Sequence, residues 1–322
     1  MRPDIGVLGA GAFGTALAIA LAQAGKRVVL WARDVEQAAA MAAARENVAR
    51  LPGAAFPDGL DVTADVAMAA QAPVLLLAVP TQTLRGLAGA HAAFLADRRL
   101  VACCKGVELG TGLLPTQVLG QVIPGAQTAV LTGPSFAADI ARGKPTALTL
   151  AVEGAGGEAL QAALASHNLR LYLAHDVVGA QWGGALKNVI AIAAGVVLGA
   201  GFGESARAAL MTRGFAEIGR LAQSRGAQAE TLWGLSGFGD LVLTCTSDKS
   251  RNFRHGQAIG RGEAPDLTQT VEGVMTAHAI AQDADPDMLP VTCMVSALLR
   301  EQVSLEQAKD LLLSRPLRNE RG

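Results

Sequence analysis

Gly9-Ala10-Gly11-Ala12-Phe13-Gly14 is the stretch on which the reading of the fold turns. It follows the apolar run at residues 5–8 and leads into Thr15-Ala16-Leu17-Ala18, the beginning of an apolar helical stretch. Between a strand and a helix, three glycines at this spacing have separate tasks. The first permits the tight turn, the second lets a pyrophosphate approach the backbone, and the third lets the helix lie close to the strand. The free N–H groups and the dipole at the start of the helix then favour an anion. In a chain with 37 glycines the pattern alone says little. Its position between strand and helix makes Gly9, Gly11 and Gly14 candidate dinucleotide contacts.

Working outward, further strand-like runs occur at residues 27–31, 74–79, 100–104, 128–131 and 147–151, with helix-length segments between them. Short continuous apolar strands separated by helices predict a parallel sheet covered on both faces, a doubly wound α/β domain of Rossmann type. A short segment at residues 170–173 is placed to close the sheet. Beyond Asp176 the strand signal gives way to long Ala- and Leu-rich periodic stretches, so the second half is expected to be all-helical. The division is expected at residues 1–178 and 179–322, two domains being the natural number for 322 residues. The apolar run at residues 189–202 is shorter than the ~20 residues that span a bilayer and reads as a buried core helix. The polar tail at residues 315–322 is expected to fray.

Composition removes several classes of function. Hydrophobic residues make up 51% and charged ones 17%, and 27 basic against 28 acidic residues are spread without long runs. That pattern offers no footprint for nucleic acid or an anionic membrane surface. The first residues show no charged region, hydrophobic region and cleavage site in sequence, so a cytoplasmic protein without membrane insertion is expected. Cys103, Cys104, Cys245 and Cys293 form neither a CxxC pair nor a zinc pattern and read as buried thiols. His255 and the other histidines lack metal-ligand spacing, and no metal site is expected.

At the end of the second strand, Trp31-Ala32-Arg33-Asp34 presents both a cation and a carboxylate where dinucleotide enzymes choose between cofactors. A carboxylate there holds the ribose hydroxyls of NAD, and an arginine holds the 2′-phosphate of NADP. Arg33 is therefore a cofactor candidate, with a solvated strand-end cation as the alternative. Either NADP or NAD fits, with the arginine tilting the expectation toward NADPH.

Alcohol oxidation needs a base for the hydroxyl proton, and the reverse reaction needs the same group to protonate the forming alkoxide. Lys187, in Gly183-Gly184-Ala185-Leu186-Lys187-Asn188, is the candidate, because an ammonium at the start of an otherwise apolar helix is costly without a task or partner. Gly183 and Gly184 lie one turn earlier and are expected to clear room for a ligand at the lysine tip. A snorkelling lysine at a domain edge is the plainer alternative. Lys105 follows the strand at residues 100–104, at the carboxyl edge where such sheets bind ligands, and reads either as a cation that holds a substrate phosphate and depresses a neighbouring lysine or as a simple strand-end charge. Gly133-Pro134-Ser135-Phe136-Ala137 follows the next strand at the same edge, and reads equally well as an ordinary Gly-Pro turn. Asp240, in a stretch expected to open a loop, has three readings: binding a substrate hydroxyl, orienting Lys187 or capping a helix. Arg251 and Asn252 together offer a planar cation and an amide suited to a phosphate. Glu272 is placed to reach a cofactor ribose or to be a surface acid at a turn.

These segments together resemble the bacterial NAD(P)-dependent glycerol-3-phosphate dehydrogenase family. The resemblance is carried by residues 9–18, Lys105-Gly106, residues 133–137, 186–191, 206–210, Thr212-Arg213-Gly214, residues 239–245 and Ser250-Arg251-Asn252, in the expected order through nearly the whole chain. It implies a Rossmann domain followed by a helical domain like that of 6-phosphogluconate dehydrogenase, with Lys187 as general acid/base. It also implies Lys105, Gly133, Ser135, Lys187, Asp240, Ser250, Arg251 and Asn252 around a small phosphorylated substrate. Gly9, Gly11, Ala12, Phe13, Gly14, Arg33, Lys105, Ala137, Arg251, Thr270 and Glu272 then lie along the cofactor. Ala12, Phe13, Cys104 and Thr270 depart from the residues usual in the family. A supply of glycerol phosphate for phospholipid synthesis is the implied role. Another dehydrogenase of the same architecture, or a non-catalytic NAD(P) sensor, shares the glycine loop. The first has no need of the Ser250-Arg251-Asn252 clamp, and the second has none for Lys187. Oligomeric state stays open, a homodimer included.

Overall fold

The computed structural model describes residues 2–266 and 269–313. Eight strands form one sheet: β1 (Ile5–Leu8), β2 (Val28–Trp31), β3 (Leu60–Thr63), β4 (Val74–Leu77), β5 (Arg99–Ala102), β6 (Gln127–Thr132), β7 (Thr146–Val152) and β8 (Leu169–Ala174). Their order is β3-β2-β1-β4-β5-β6-β7-β8. The order reverses between β1 and β4, and the crevice at their carboxyl ends is where a doubly wound sheet binds its ligand. Ile5, Val7, Leu30, Leu76, Val101 and Ala129 pack on one face. Leu8, Val29, Trp31, Leu75, Leu77 and Leu100 pack on the other. That alternation along strands buried on both sides explains why they read as continuous apolar runs.

Two features depart from the expected sheet. β3 went unread because Leu60-Asp61-Val62-Thr63 is short and partly exposed, an edge strand with little apolar signal. The sheet is also not wholly parallel, since β6 and β7 pair antiparallel with Ala129 opposite Val152 and Thr132 opposite Thr149. The connection between them contains only the five-residue helix Ala137–Ala141. At ~1.5 Å per residue it cannot carry the chain back along a strand six residues long, so β7 re-enters from the edge β6 left. β8 then pairs parallel with β7, as the segment at residues 170–173 suggested.

Beyond β8, Asp176 caps the long helix Val177–Gly199 by accepting the Gly179 N–H at 2.7 Å. This helix starts earlier than the apolar run at residues 189–202 and stops before Phe202. With 23 residues it is long and apolar enough to cross a membrane, so shortness is not what excludes that role. Its most apolar window is instead 89% buried by the rest of the protein. Helix Arg251–Gly260 lies against it at backbone contact. A Cβ on Gly195 would sit 2.1 Å from the Phe253 carbonyl oxygen, and one on Gly256 would sit 2.0 Å from that of Ile192. Glycines on both helices permit this approach, which holds Arg251 and Asn252 beside the helix that carries Lys187. Cys103, Cys104 and Cys245 are buried, whereas Cys293, expected to be buried as well, is partly exposed. The tail at residues 315–322 lies outside the described residues.

Candidate active site

β1, β2, β4, β5 and β6 are mutually parallel, so the segments that follow them meet at one edge of the sheet. The glycine turn lies there. Gly9 has φ +118°, and a Cβ on it would lie 2.6 Å from the Ala78 carbonyl oxygen after β4. Gly14 presses on Gly9, with only 2.1 Å between its notional Cβ and the Gly9 oxygen. Around Gly11, in contrast, a Cβ meets nothing within 4 Å. The two tight glycines shape the turn, and the open one caps helix Ala12–Gln23. This cradle fits the pyrophosphate of a dinucleotide. Ala12 and Phe13 open that helix, and Ala137 opens helix Ala137–Ala141 at the same sheet edge.

After β2, the Asp34 carboxylate accepts the Gln37 N–H at 2.7 Å and caps helix Val35–Ala44. Arg33 and Asp34 are both exposed, with one oxygen of the carboxylate given to the helix cap.

Lys187 sits midway along helix Val177–Gly199 with 6% of its surface exposed. Its Nζ donates to Asp240 Oδ1 at 2.9 Å and to Thr244 Oγ1 at 2.6 Å. Asp240 Oδ2 accepts from Lys105 Nζ at 2.6 Å, and Lys105 also donates to the Gly133 carbonyl at 2.9 Å. One buried carboxylate therefore joins the catalytic-lysine candidate to the loops after β5 and β6. Burial pulls the Lys187 ammonium down to about 8, and the neighbouring Lys105 charge adds to that while Asp240 opposes it. For Asp240 burial works upward, but the two ammonium groups outweigh it and hold the carboxyl below its ordinary range.

Asp240 is neither in a loop nor a cap. A π-helical turn, Leu235–Gly239, runs directly into helix Asp240–Cys245, and the carboxylate points at the two lysines. Capping falls instead to Ser250, whose Oγ accepts the Phe253 N–H at 3.2 Å at the start of helix Arg251–Gly260. Gly183 and Gly184 also serve another purpose than the one expected. A Cβ on Gly183 would lie 2.8 Å from the Ser236 oxygen, and one on Gly184 would lie 2.7 Å from Thr132 Oγ1. They admit protein, not ligand: the π-helical turn and the end of β6 pack where side chains would be. Gly183→Ala is expected to cost about 1–3 kcal/mol and to lower turnover by moving the turn that carries Asp240. Thermal unfolding and kcat check this together; an unchanged protein would mean the turn adapts freely.

Asn252 connects to this centre through Asn188. Asn252 donates to Asn188 Oδ1 at 2.9 Å and accepts the Gly273 N–H at 3.0 Å, and Asn188 donates to the Lys105 carbonyl at 3.4 Å. Arg251 is exposed beside them, within electrostatic reach of Glu272. Glu272 accepts the Thr81 N–H at 3.0 Å after β4, and burial raises its carboxyl above the usual range. Ser135 donates to the Gly133 carbonyl at 3.3 Å. Thr270 is exposed, one residue before Val271, which caps the helix that Glu272 opens. Thr244 and Asn188 were not singled out from sequence. Thr244 lies four residues after Asp240, on the same helix face, a spacing that was available as a signal.

A glycine turn suited to a dinucleotide, together with a buried lysine whose carboxylate partner also holds Lys105 after β5, has the make-up of a dehydrogenase of the Rossmann class. Comparison with known proteins narrows this. Residues 4–156 match the family described as NAD-dependent glycerol-3-phosphate dehydrogenase N-terminus, and residues 176–310 match the corresponding C-terminus. The chain is 57% identical to glycerol-3-phosphate dehydrogenase [NAD(P)+] of Ruegeria sp. (strain TM1040), and 58% identical to that of Cereibacter sphaeroides. Each match covers 98% of this chain and 100% of the relative. The crystal structure of glycerol-3-phosphate dehydrogenase from Coxiella burnetii superposes with a TM-score of 0.92 at 34% identity, over 98% of this chain and 99% of that one. The chain belongs to the NAD(P)-dependent glycerol-3-phosphate dehydrogenase family.

Proposed function

We propose that the chain interconverts sn-glycerol 3-phosphate and dihydroxyacetone phosphate, with Lys187 as the general acid/base. The buried Lys187-Asp240-Lys105 chain at the carboxyl edge of the sheet carries this reading. Bound in the cradle of Gly9, Gly11 and Gly14, a nicotinamide cofactor supplies or accepts the hydride at the substrate carbon. Lys187 Nζ protonates the carbonyl oxygen during reduction and takes the hydroxyl proton during oxidation. Asp240 holds the ammonium in place, Lys105 adds positive charge beside the oxygen, and Arg251 with Asn252 receives the phosphate. Ser135 and Ser250 belong to the substrate side of this proposal, and Glu272 with Thr270 to the cofactor side. An exposed Arg33 beside an Asp34 that caps a helix favours NADPH. The division at residues 1–178 and 179–322, a cytoplasmic location, a homodimer and a role in supplying phospholipid synthesis belong to the same reading.

Absorbance of NADPH and NADH, followed with dihydroxyacetone phosphate and with unphosphorylated dihydroxyacetone, tests it. Loss of absorbance only with the phosphorylated substrate supports the assignment; loss with neither, despite cofactor binding, sinks it. The pH dependence has a defined sign. Reduction needs the Lys187 ammonium, so its kcat is expected to fall as pH rises through about 8. Oxidation needs the free amine and is expected to rise over the same range. Parallel profiles in the two directions would remove Lys187 from the proton transfer.

A further inference from the structure

Asn47 lies in none of the recognisable motifs, 37 residues from Ala10 in the glycine turn. Its side chain is nonetheless fully buried against that turn. Nδ2 donates to the Ala10 carbonyl at 3.0 Å and to Thr15 Oγ1 at 2.8 Å, while Oδ1 accepts the Arg50 N–H at 3.2 Å. Two acceptors on one side and a donor on the other determine which way the amide faces. The segment around it is anchored as well. Arg45 donates to the carbonyls of Leu60 at 2.8 Å and Pro57 at 2.7 Å, and Glu46 accepts the Gly53 N–H at 2.8 Å.

The consequence lies in the peptide that joins Ala10 to Gly11. In a trans peptide the carbonyl and the following N–H point in opposite directions. Drawing the Ala10 carbonyl inward to Asn47 therefore turns the Gly11 N–H outward. Among the described residues no backbone or side-chain group accepts this N–H, and the space beside the Gly11 Cα is open as well, with nothing within 4 Å of a Cβ there. The N–H stands at the start of helix Ala12–Gln23, where an anion is favoured.

We propose that Asn47 is a positioning residue for the cofactor, setting the Ala10-Gly11 peptide so that the Gly11 N–H meets the pyrophosphate. The proposal rests on the dinucleotide reading of the glycine turn and is independent of the substrate. It is tested by titrating NADPH, by its nicotinamide fluorescence and with no substrate present, into wild type, Asn47→Ala and Thr15→Val, each checked as folded by thermal melting. Asn47→Ser repeats the test should the alanine variant fail to fold. Asn47→Ala is expected to weaken NADPH binding about tenfold, the scale of one lost hydrogen bond to a charged group. Its kcat at saturating NADPH and its KM for dihydroxyacetone phosphate should stay near wild type. Thr15→Val removes the other acceptor but keeps the bond to Ala10, so its affinity should stay near wild type although it too loses stability. Wild-type affinity in folded Asn47→Ala, or equal weakening in Thr15→Val, would overturn the proposal in favour of simple bracing of the helix. A wild-type chain that binds neither NADPH nor NADH would overturn it together with the reading of the glycine turn; one that binds NADH alone is tested with NADH in the same way.

Discussion

Replacing Lys187 by alanine is expected to lower kcat roughly 10²- to 10⁴-fold in both directions, the range in which a positioned general acid/base contributes, while NADPH binding stays nearly unchanged. The reason for the separation is spatial. Lys187 projects from helix Val177–Gly199 toward Asp240 and Thr244, whereas the glycine turn proposed to hold the cofactor phosphates follows β1. The variant should fold, because Asp240 keeps its pair with Lys105 at 2.6 Å and no buried carboxylate is left alone. Lys187→Arg is the sharper control. A guanidinium keeps the positive charge but does not release a proton near neutral pH, so it is expected to be as inactive as alanine. Turnover at the wild-type rate in either variant, measured under saturating substrate and cofactor, would refute the acid/base assignment.

Asp240→Asn is expected to have the next largest effect, and on two observables at once. Asp240 is 1% exposed and is the shared partner of two ammonium groups. Removing its charge leaves Lys105 and Lys187 facing each other, and loss of one member of a buried ion pair typically costs about 3–5 kcal/mol. The midpoint of denaturant unfolding should fall accordingly. The catalytic consequence follows from the balance at Lys187, where burial and Lys105 pull the ammonium down and Asp240 pulls it back up. Without the upward contribution, the fall in reduction rate should move to a pH below about 8. Linkage runs the same way for the wild-type carboxylate. Because Asp240 is held below its ordinary value, its stabilisation is complete above the unfolded carboxyl range and is lost as pH drops through the folded value. An unchanged unfolding midpoint together with an unchanged pH profile would show that Asp240 is not the counter-ion of the pair.

Much of the sheet was legible because its signals are local. β1, the glycine turn and helix Ala12–Gln23 are each written in a few consecutive residues. The same is true of the other central strands, whose apolar runs follow from burial on both faces. β3 was not legible, because an edge strand of four residues carries little of that pattern. The antiparallel β7 was read as a strand but not in its direction, which depends on the length of the connecting helix and on which edge of β6 remained open. At the site, residue type and position were enough to mark Lys187, Lys105 and Asp240 as candidates. They were not enough to assign Asp240 between capping and charge pairing, or to see that Gly183 and Gly184 face protein.

What the amino-acid order determined by itself was the menu of elements, the glycine turn between β1 and its helix and the residue types available for proton transfer, because strand, turn and helix preferences arise between neighbours within one or two turns of chain. Only the tertiary structure decided which charges meet. Asp240 joins Lys187 from 53 residues away and Lys105 from 135 residues away, and Asn47 reaches Ala10 across 37. Such pairings depend on the packing of the whole chain, in which burial makes every unmatched charge or amide costly enough that a partner must be found wherever the fold brings one within reach.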